Sequence, residues 1–200
     1  MFRIRAVFVL SALASLAIAG TALATTVTGG TTTLTPSSAT TALLSSNHIT
    51  VTPVAPATVS AGSIAFPIAG GRLNVSTLDG RLRQTGGVQL SNGTRTVTLR
   101  ALRVISNKNG ASIWAIVRDR SSRICAHLRR PRARLACVII TRLHTARIAT
   151  ITGGSVSGGT FTGKVAITAA TAALVNRLAG SQVVSAGAPF GTVTITPTLS

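Results

Sequence analysis

Val88-Gln89-Leu90-Ser91-Asn92-Gly93-Thr94-Arg95-Thr96-Val97-Thr98-Leu99 is the stretch that decides the fold class. Two runs of aliphatic and β-branched residues flank an Asn-Gly pair, and that pair accepts the positive φ angles a tight hairpin turn demands. The reading predicts a strand over 88–91, a turn at Asn92-Gly93 and a second strand over 95–104. Asn109-Gly110 repeats the signal ahead of Ile113–Val117, and Arg118-Asp119-Arg120-Ser121-Ser122 reads as a further turn. Upstream, Ile64, Phe66 and Ile68 alternate before Gly70-Gly71, and Gly80 and Gly86-Gly87 punctuate the stretch from Leu73 to Leu90. Downstream, a Thr/Ile run from Val138 to Ile151 leads into Gly153-Gly154 and Gly158-Gly159. Strands separated by turns every 8–12 residues or so predict a mainly β chain, an antiparallel β-sandwich.

Two short α-helices interrupt this pattern near the ends of the chain. Leu34-Thr35-Pro36-Ser37-Ser38-Ala39 reads as a helix start with Thr35 as N-cap and Pro36 in the first helical position, ending near Asn47. Ile167-Thr168 followed by Ala169–Leu178 reads as a second Thr-capped helix, closed by Gly180. Thr25–Thr33 is a Thr/Gly-rich lead. The chain therefore reads as two strand–helix–strand units bracketing a meander.

Arg3 and Arg5, the apolar run from Ala6 to Ala19, and Ala22-Leu23-Ala24 form the pattern of a secretory signal peptide. The division expected is a signal peptide over 1–24 and one domain over 25–200, secreted and extracytoplasmic, with no transmembrane segment in the mature chain. Export puts Cys125 and Cys137 in a disulfide-permissive compartment. They are equidistant from Pro131, so a hairpin turning there pairs 125 with 137, within disulfide reach. Closing so short a loop is worth roughly 3 kcal/mol. Two unpaired thiols are the alternative.

Asp79 and Asp119 are the only acidic residues against 20 Lys+Arg, for a formal charge of +18, or +16 once Arg3 and Arg5 are removed (18 − 2). A mean hydropathy of +0.49 and 46% hydrophobic residues argue against disorder. The shortage of carboxylates removes paired-carboxylate hydrolysis and Ca or Mg sites, and no metal site is expected. Gly153-Gly154-Ser155-Val156-Ser157-Gly158 only approximates a nucleophile elbow, and no phosphate-binding loop is present. No catalytic residue is assigned, and a non-enzymatic role is expected.

Phe66-Pro67-Ile68-Ala69-Gly70-Gly71-Arg72-Leu73, Leu78-Asp79-Gly80, Gly86-Gly87-Val88 and Ala186-Gly187-Ala188-Pro189-Phe190-Gly191-Thr192, with the Leu34-Thr35 and Ile167-Thr168 helix starts, span most of residues 30–196. Together they resemble the HtaA-type domains of secreted bacterial haem-uptake and cell-envelope proteins. The resemblance implies a β-sandwich with two short helices acting at or outside the cell envelope. In that family haem binding is associated with a Tyr ligand supported by a His. This chain has no Tyr, and Gln84-Thr85 stands before Gly86-Gly87, so an iron–tyrosinate site cannot be built.

No cofactor is expected, unless haem is bound through His rather than Tyr. His127 and His144 are the candidates for that, with a half-buried or surface histidine as the ordinary alternative for each. Arg118, Arg120, Arg123, Arg129, Arg130, Arg132, Arg134, Arg142 and Arg147 crowd one stretch opposed only by Asp119. Arg129, Arg130, Arg132 and Arg134 at the hairpin tip are the candidate contacts to an anionic cell-envelope polymer or lipid phosphate. A coding bias toward Arg, 18 against 2 Lys, accounts for the same cluster without a function. Nucleic acid is an unlikely partner, because Trp114, Phe66, Phe161 and Phe190 are the mature chain's only aromatics for base stacking.

Overall fold

The computed structural model describes residues 24–74, 79–107, 110–126 and 136–200, with 121–126 and 136–141 described by backbone. The elements run β1 (Thr25–Pro36), α1 (Ser38–Ser46), β2 (Thr50–Val54), β3 (Thr58–Ser60), β4 (Ser63–Leu73), β5 (Gly80–Gln84), β6 (Gly87–Ser91), β7 (Thr96–Asn107), β8 (Gly110–Ala126), β9 (Ala136–Ser157), β10 (Thr160–Ile167), α2 (Ala169–Ala179) and β11 (Pro189–Leu199). The hairpin around Asn92 forms as expected. Its loop is four residues long, and Asn92 Oδ1 accepts hydrogen bonds from the Thr94 and Arg95 amides.

The expected sandwich is replaced by a closed barrel. Neighbouring strands pair in the order β7-β5-β4-β1-β11-β10-β9-β8, and β8 then pairs with β7, so eight antiparallel strands form a ring. β2 and β6 form a ribbon beside it, and β3 pairs with the start of β4. A sandwich needs two sheets with free edges, and here both edges of β7 are occupied. Its first half pairs with β6 and its second half with β5 on one side, while β8 runs along the other. The switch lies at a register shift between Arg100 and Arg103, where Ala101 adopts φ +50°. Further shifts interrupt β1, β4, β8 and β10. Each such bulge adds bend and twist, which is what lets a sheet curl shut.

Inside and outside alternate as a pleated strand requires. Ile64, Phe66 and Ile68 point inward with 4%, 1% and 5% of their surface exposed. The Thr-rich lead is strand rather than leader: β1 stands in the middle of the sheet between β4 and β11. Gly153-Gly154 lies within β9, where the Phe161 ring covers Gly154 and leaves no room for a Cβ.

Both helices close the same end of the barrel, where β1 and β10 finish and β11 begins. The N-cap of α1 is Ser37, not Thr35: its Oγ accepts from the Thr40 amide, and Pro36 completes β1. At the other end of α1 the His48 amide bonds to Ser45 and the Ile49 amide to Leu44, both across the reversal made by Asn47 and His48. That is a Schellman closure, with buried Ile49 against buried Leu44 as its apolar contact. It sets His48 at φ +53°, a conformation glycine adopts more easily. α2 starts at Thr168 and ends at a left-handed Gly180, as the sequence implies. Thr168 and Thr171 hydroxyls donate to the carbonyls of Arg147 and Ile148, freed where β9 bulges against β8.

Arg118–Ser122 is not a turn. It continues β8, and Asp119 faces inward with 3% exposure, ion-paired to Arg177 of α2. Removing a charged hydrogen-bond partner from a buried carboxylate weakens the compensation for its desolvation. Arg177→Ala is therefore expected to destabilise the fold by about 2 kcal/mol in denaturant titration.

Beyond Asp119 the β8–β9 ribbon carries Cys125 opposite Cys137, the pairing that a turn centred on Pro131 implies. Their side chains, and residues 127–135 at the tip, lie outside the described residues. Peptide mapping of oxidised protein is expected to recover 125 and 137 in one disulfide-linked fragment. Reduction should raise amide exchange at Ile124 and Val138 while sparing the barrel.

Candidate functional site

A closed eight-stranded barrel has an interior that side chains can fill or that can hold one small ligand. Here the end away from the helices is filled by Val27, Leu82, Ile151 and Ile195. The helix end is not filled, and a cavity of about 900 Å³ occupies it. Its walls are aliphatic side chains of the barrel strands, including Leu34, Ile64, Leu99, Leu102, Val165 and Val193, together with Leu43 and Leu44 of α1 and Val175 of α2. The cavity opens beside α1, where Thr41, Ser45, His48, Val51 and Val59 form the rim. Val51 and Val59 are 36% and 46% exposed, so the entrance is partly apolar too.

Almost every polar group on this lining is already engaged. Thr40 Oγ1 donates to the Phe190 carbonyl, Thr171 Oγ1 to Ile148 and Thr50 Oγ1 to Ser91. The interior exception is Gln84. Its Nε2 donates to Thr32 Oγ1 at 3.1 Å, while Oε1 is buried with no hydrogen-bond partner. Gln84 is 5% and Thr32 4% exposed, and among the described residues no acidic residue, Lys or Arg lines the cavity. His48 at the rim is the titratable group of the lining.

Haem iron needs an axial donor such as His, Cys, Met or Tyr. The interior offers an amide and hydroxyls, which do not fit iron, so among the described residues only His48 at the exposed rim stands near enough to serve. His144 is exposed on β9 opposite Val117 and does not line the cavity. His127, Arg129, Arg130, Arg132 and Arg134 lie outside the described residues. Among the described residues no group of three His, Cys, Asp or Glu could hold a metal ion.

A charged feature that the sequence pattern concealed lies on the outer wall. The registers place Arg83 opposite Arg103, Arg103 opposite Trp114 and Trp114 opposite Arg147, one row across β5, β7, β8 and β9. Arg72 and Arg81 face each other one row away. Arg81 and Arg83 share one face of β5 because side chains repeat every two residues, and their partners come from other strands.

No protein-family model matches the sequence, and no curated protein matches it significantly. Solved structures are similar. The C-terminal domain of HtaA from Corynebacterium glutamicum gives a TM-score of 0.62 at 11% identity, covering 88% of this chain and 99% of that one. The N-terminal domain of HtaA from the same organism gives 0.59 at 14% identity, covering 86% and 98%. The heme binding protein HtaB, also from Corynebacterium glutamicum, gives 0.52 at 15% identity, covering 89% and 96%. At these identities the likeness is one of backbone arrangement, and this chain has the HtaA-type domain fold.

Proposed function

We propose that this chain is an exported, non-enzymatic binding domain whose ligand is a large apolar molecule held inside the barrel. The observation that carries this reading is the 900 Å³ cavity, enclosed by aliphatic side chains and entered beside α1. Binding sites of this kind are concave, mostly apolar and marked by a few polar groups that orient the ligand. The lining supports binding rather than catalysis, because it carries no carboxylate and its one imidazole has no acidic partner beside it on the lining.

Nile red, a neutral apolar fluorophore, tests the reading. Its emission is expected to brighten and shift to the blue with saturation at one site. Ala149→Phe, which projects a ring into the cavity from β9, should weaken binding at least tenfold while the far-UV circular dichroism stays unchanged. No saturable binding by the native protein would overturn the proposal. Haem, the ligand named for one structural neighbour, is a separate arm of the same experiment. A saturable Soret shift with haemin that disappears in His48→Ala would replace a general apolar ligand with a haem seated at the rim.

A second reading concerns anionic cell-envelope polymers. Beside the tip arginines, the facing arginines on the barrel wall support it, since like charges placed opposite each other are destabilising without a counter-charge. Arg83→Gln with Arg103→Gln should elute from phosphocellulose at distinctly lower salt than the native protein. Lys164→Gln with Arg142→Gln, the same loss of charge away from the row, should elute nearer the native position. Equal losses would reduce the arginines to general surface charge.

A further inference from the structure

The deep end of the cavity holds a polar arrangement that the fold leaves incomplete. Thr32 lies opposite Phe66 in the β1–β4 ladder, one inward step below the Leu34–Ile64 pair that stands beneath the helices. Gln84 ends β5 opposite Ile68 of β4 and reaches the Thr32 hydroxyl with its amide nitrogen. Its Oε1 therefore sits at the bottom of an apolar well with no partner.

A buried amide oxygen without a hydrogen bond keeps the full cost of its desolvation, and such groups normally find a donor. The Thr32 hydroxyl is already receiving the Gln84 nitrogen. A single water is a poor substitute, because a buried water needs about two to four polar partners and the side chains around this end are otherwise aliphatic or aromatic. What complements the site is a molecule that is apolar along its length and ends in a hydrogen-bond donor. A carboxylate is disfavoured there twice over: it brings no proton to Oε1, and it would be desolvated with no cation on the lining.

We propose that the well recognises a neutral, hydroxyl-bearing apolar ligand of the long-chain or polycyclic alcohol class, with the hydroxyl donating to Gln84 Oε1. The assignment rests on the apolar-ligand reading above and names the chemistry that selects among such ligands. Thr32 is a positioning residue: in the observed arrangement its hydroxyl accepts from Nε2 and Oε1 is left toward the ligand.

The test is displacement of Nile red by a matched set of compounds: 1-dodecanol, its methyl ether, dodecane and dodecanoate. The native protein is expected to bind the alcohol about tenfold more tightly than the ether or the alkane, with the carboxylate weakest. Gln84→Met keeps the length of the side chain and removes the amide, so the alcohol should fall to the level of the ether while the alkane binds as before or better. Its melting temperature should not drop, because the substitution removes an unsatisfied buried group. Thr32→Val should narrow the alcohol–ether gap without abolishing binding. Equal affinity of alcohol and ether in the native protein, or a preference that survives Gln84→Met, would overturn the assignment. Failure of every compound together with Nile red would instead overturn the apolar-ligand reading on which it stands.

Discussion

Closure of the sheet between β7 and β8 is the constraint to which the other features answer. Once eight strands share a continuous ring of hydrogen bonds, the ring itself has no edge for another chain to pair with, and an interior of set width must be occupied. The register shifts bend individual strands so that the ring can close. At one end the interior is packed with side chains; at the other, two helices stand over it without filling it. The cavity is thus a product of closure combined with lids that are held at their ends rather than packed throughout.

The lids are fastened at their ends by polar contacts, and α2 also buries Ala172, Leu174, Val175 and Leu178. α2 is anchored at its start by Thr168 and Thr171 on the β9 bulge, and near its end by the Asp119–Arg177 ion pair and the Asn92 side chain, which donates to the Leu178 carbonyl. α1 is held at its start through Thr40 on the Phe190 carbonyl and at its end by the Leu44–Ile49 closure. Anchoring of this kind sets where a helix sits while leaving the face above the cavity free to meet a ligand. It also places His48 at the rim, in a backbone conformation that glycine would adopt with less strain.

The distribution of charge follows the cost of burial. The described Lys and Arg residues stay off the cavity lining, because an unpaired charge in an apolar interior is expensive. Described arginines stand instead on the outer wall, in facing positions such as Arg83 with Arg103 and Arg72 with Arg81. The described interior is thus apolar and neutral, while the outer wall carries the basic row.

Sequence alone determined the features that depend on near neighbours: the hairpin at Asn92, the alternation of Ile64, Phe66 and Ile68, both ends of α2, and the opposition of Cys125 to Cys137. Each follows from local rules of turn geometry, strand period or helix capping, which act over a few residues. The glycine-punctuated motifs also carried the likeness to the HtaA-type fold, although that likeness suggested a sandwich. Tertiary structure alone decided that the sheet closes, that the Thr-rich lead is a central strand, that Asp119 is a buried partner of Arg177 rather than a turn residue, and that Ser37 caps α1. It also decided the site. Gln84 and Thr32 are ordinary polar strand residues in sequence, 52 positions apart, and only the register of β1, β4 and β5 brings them together at the bottom of one cavity. Pairing between distant strands is set by the balance of packing and hydrogen bonding over the whole ring, and no local pattern encodes it.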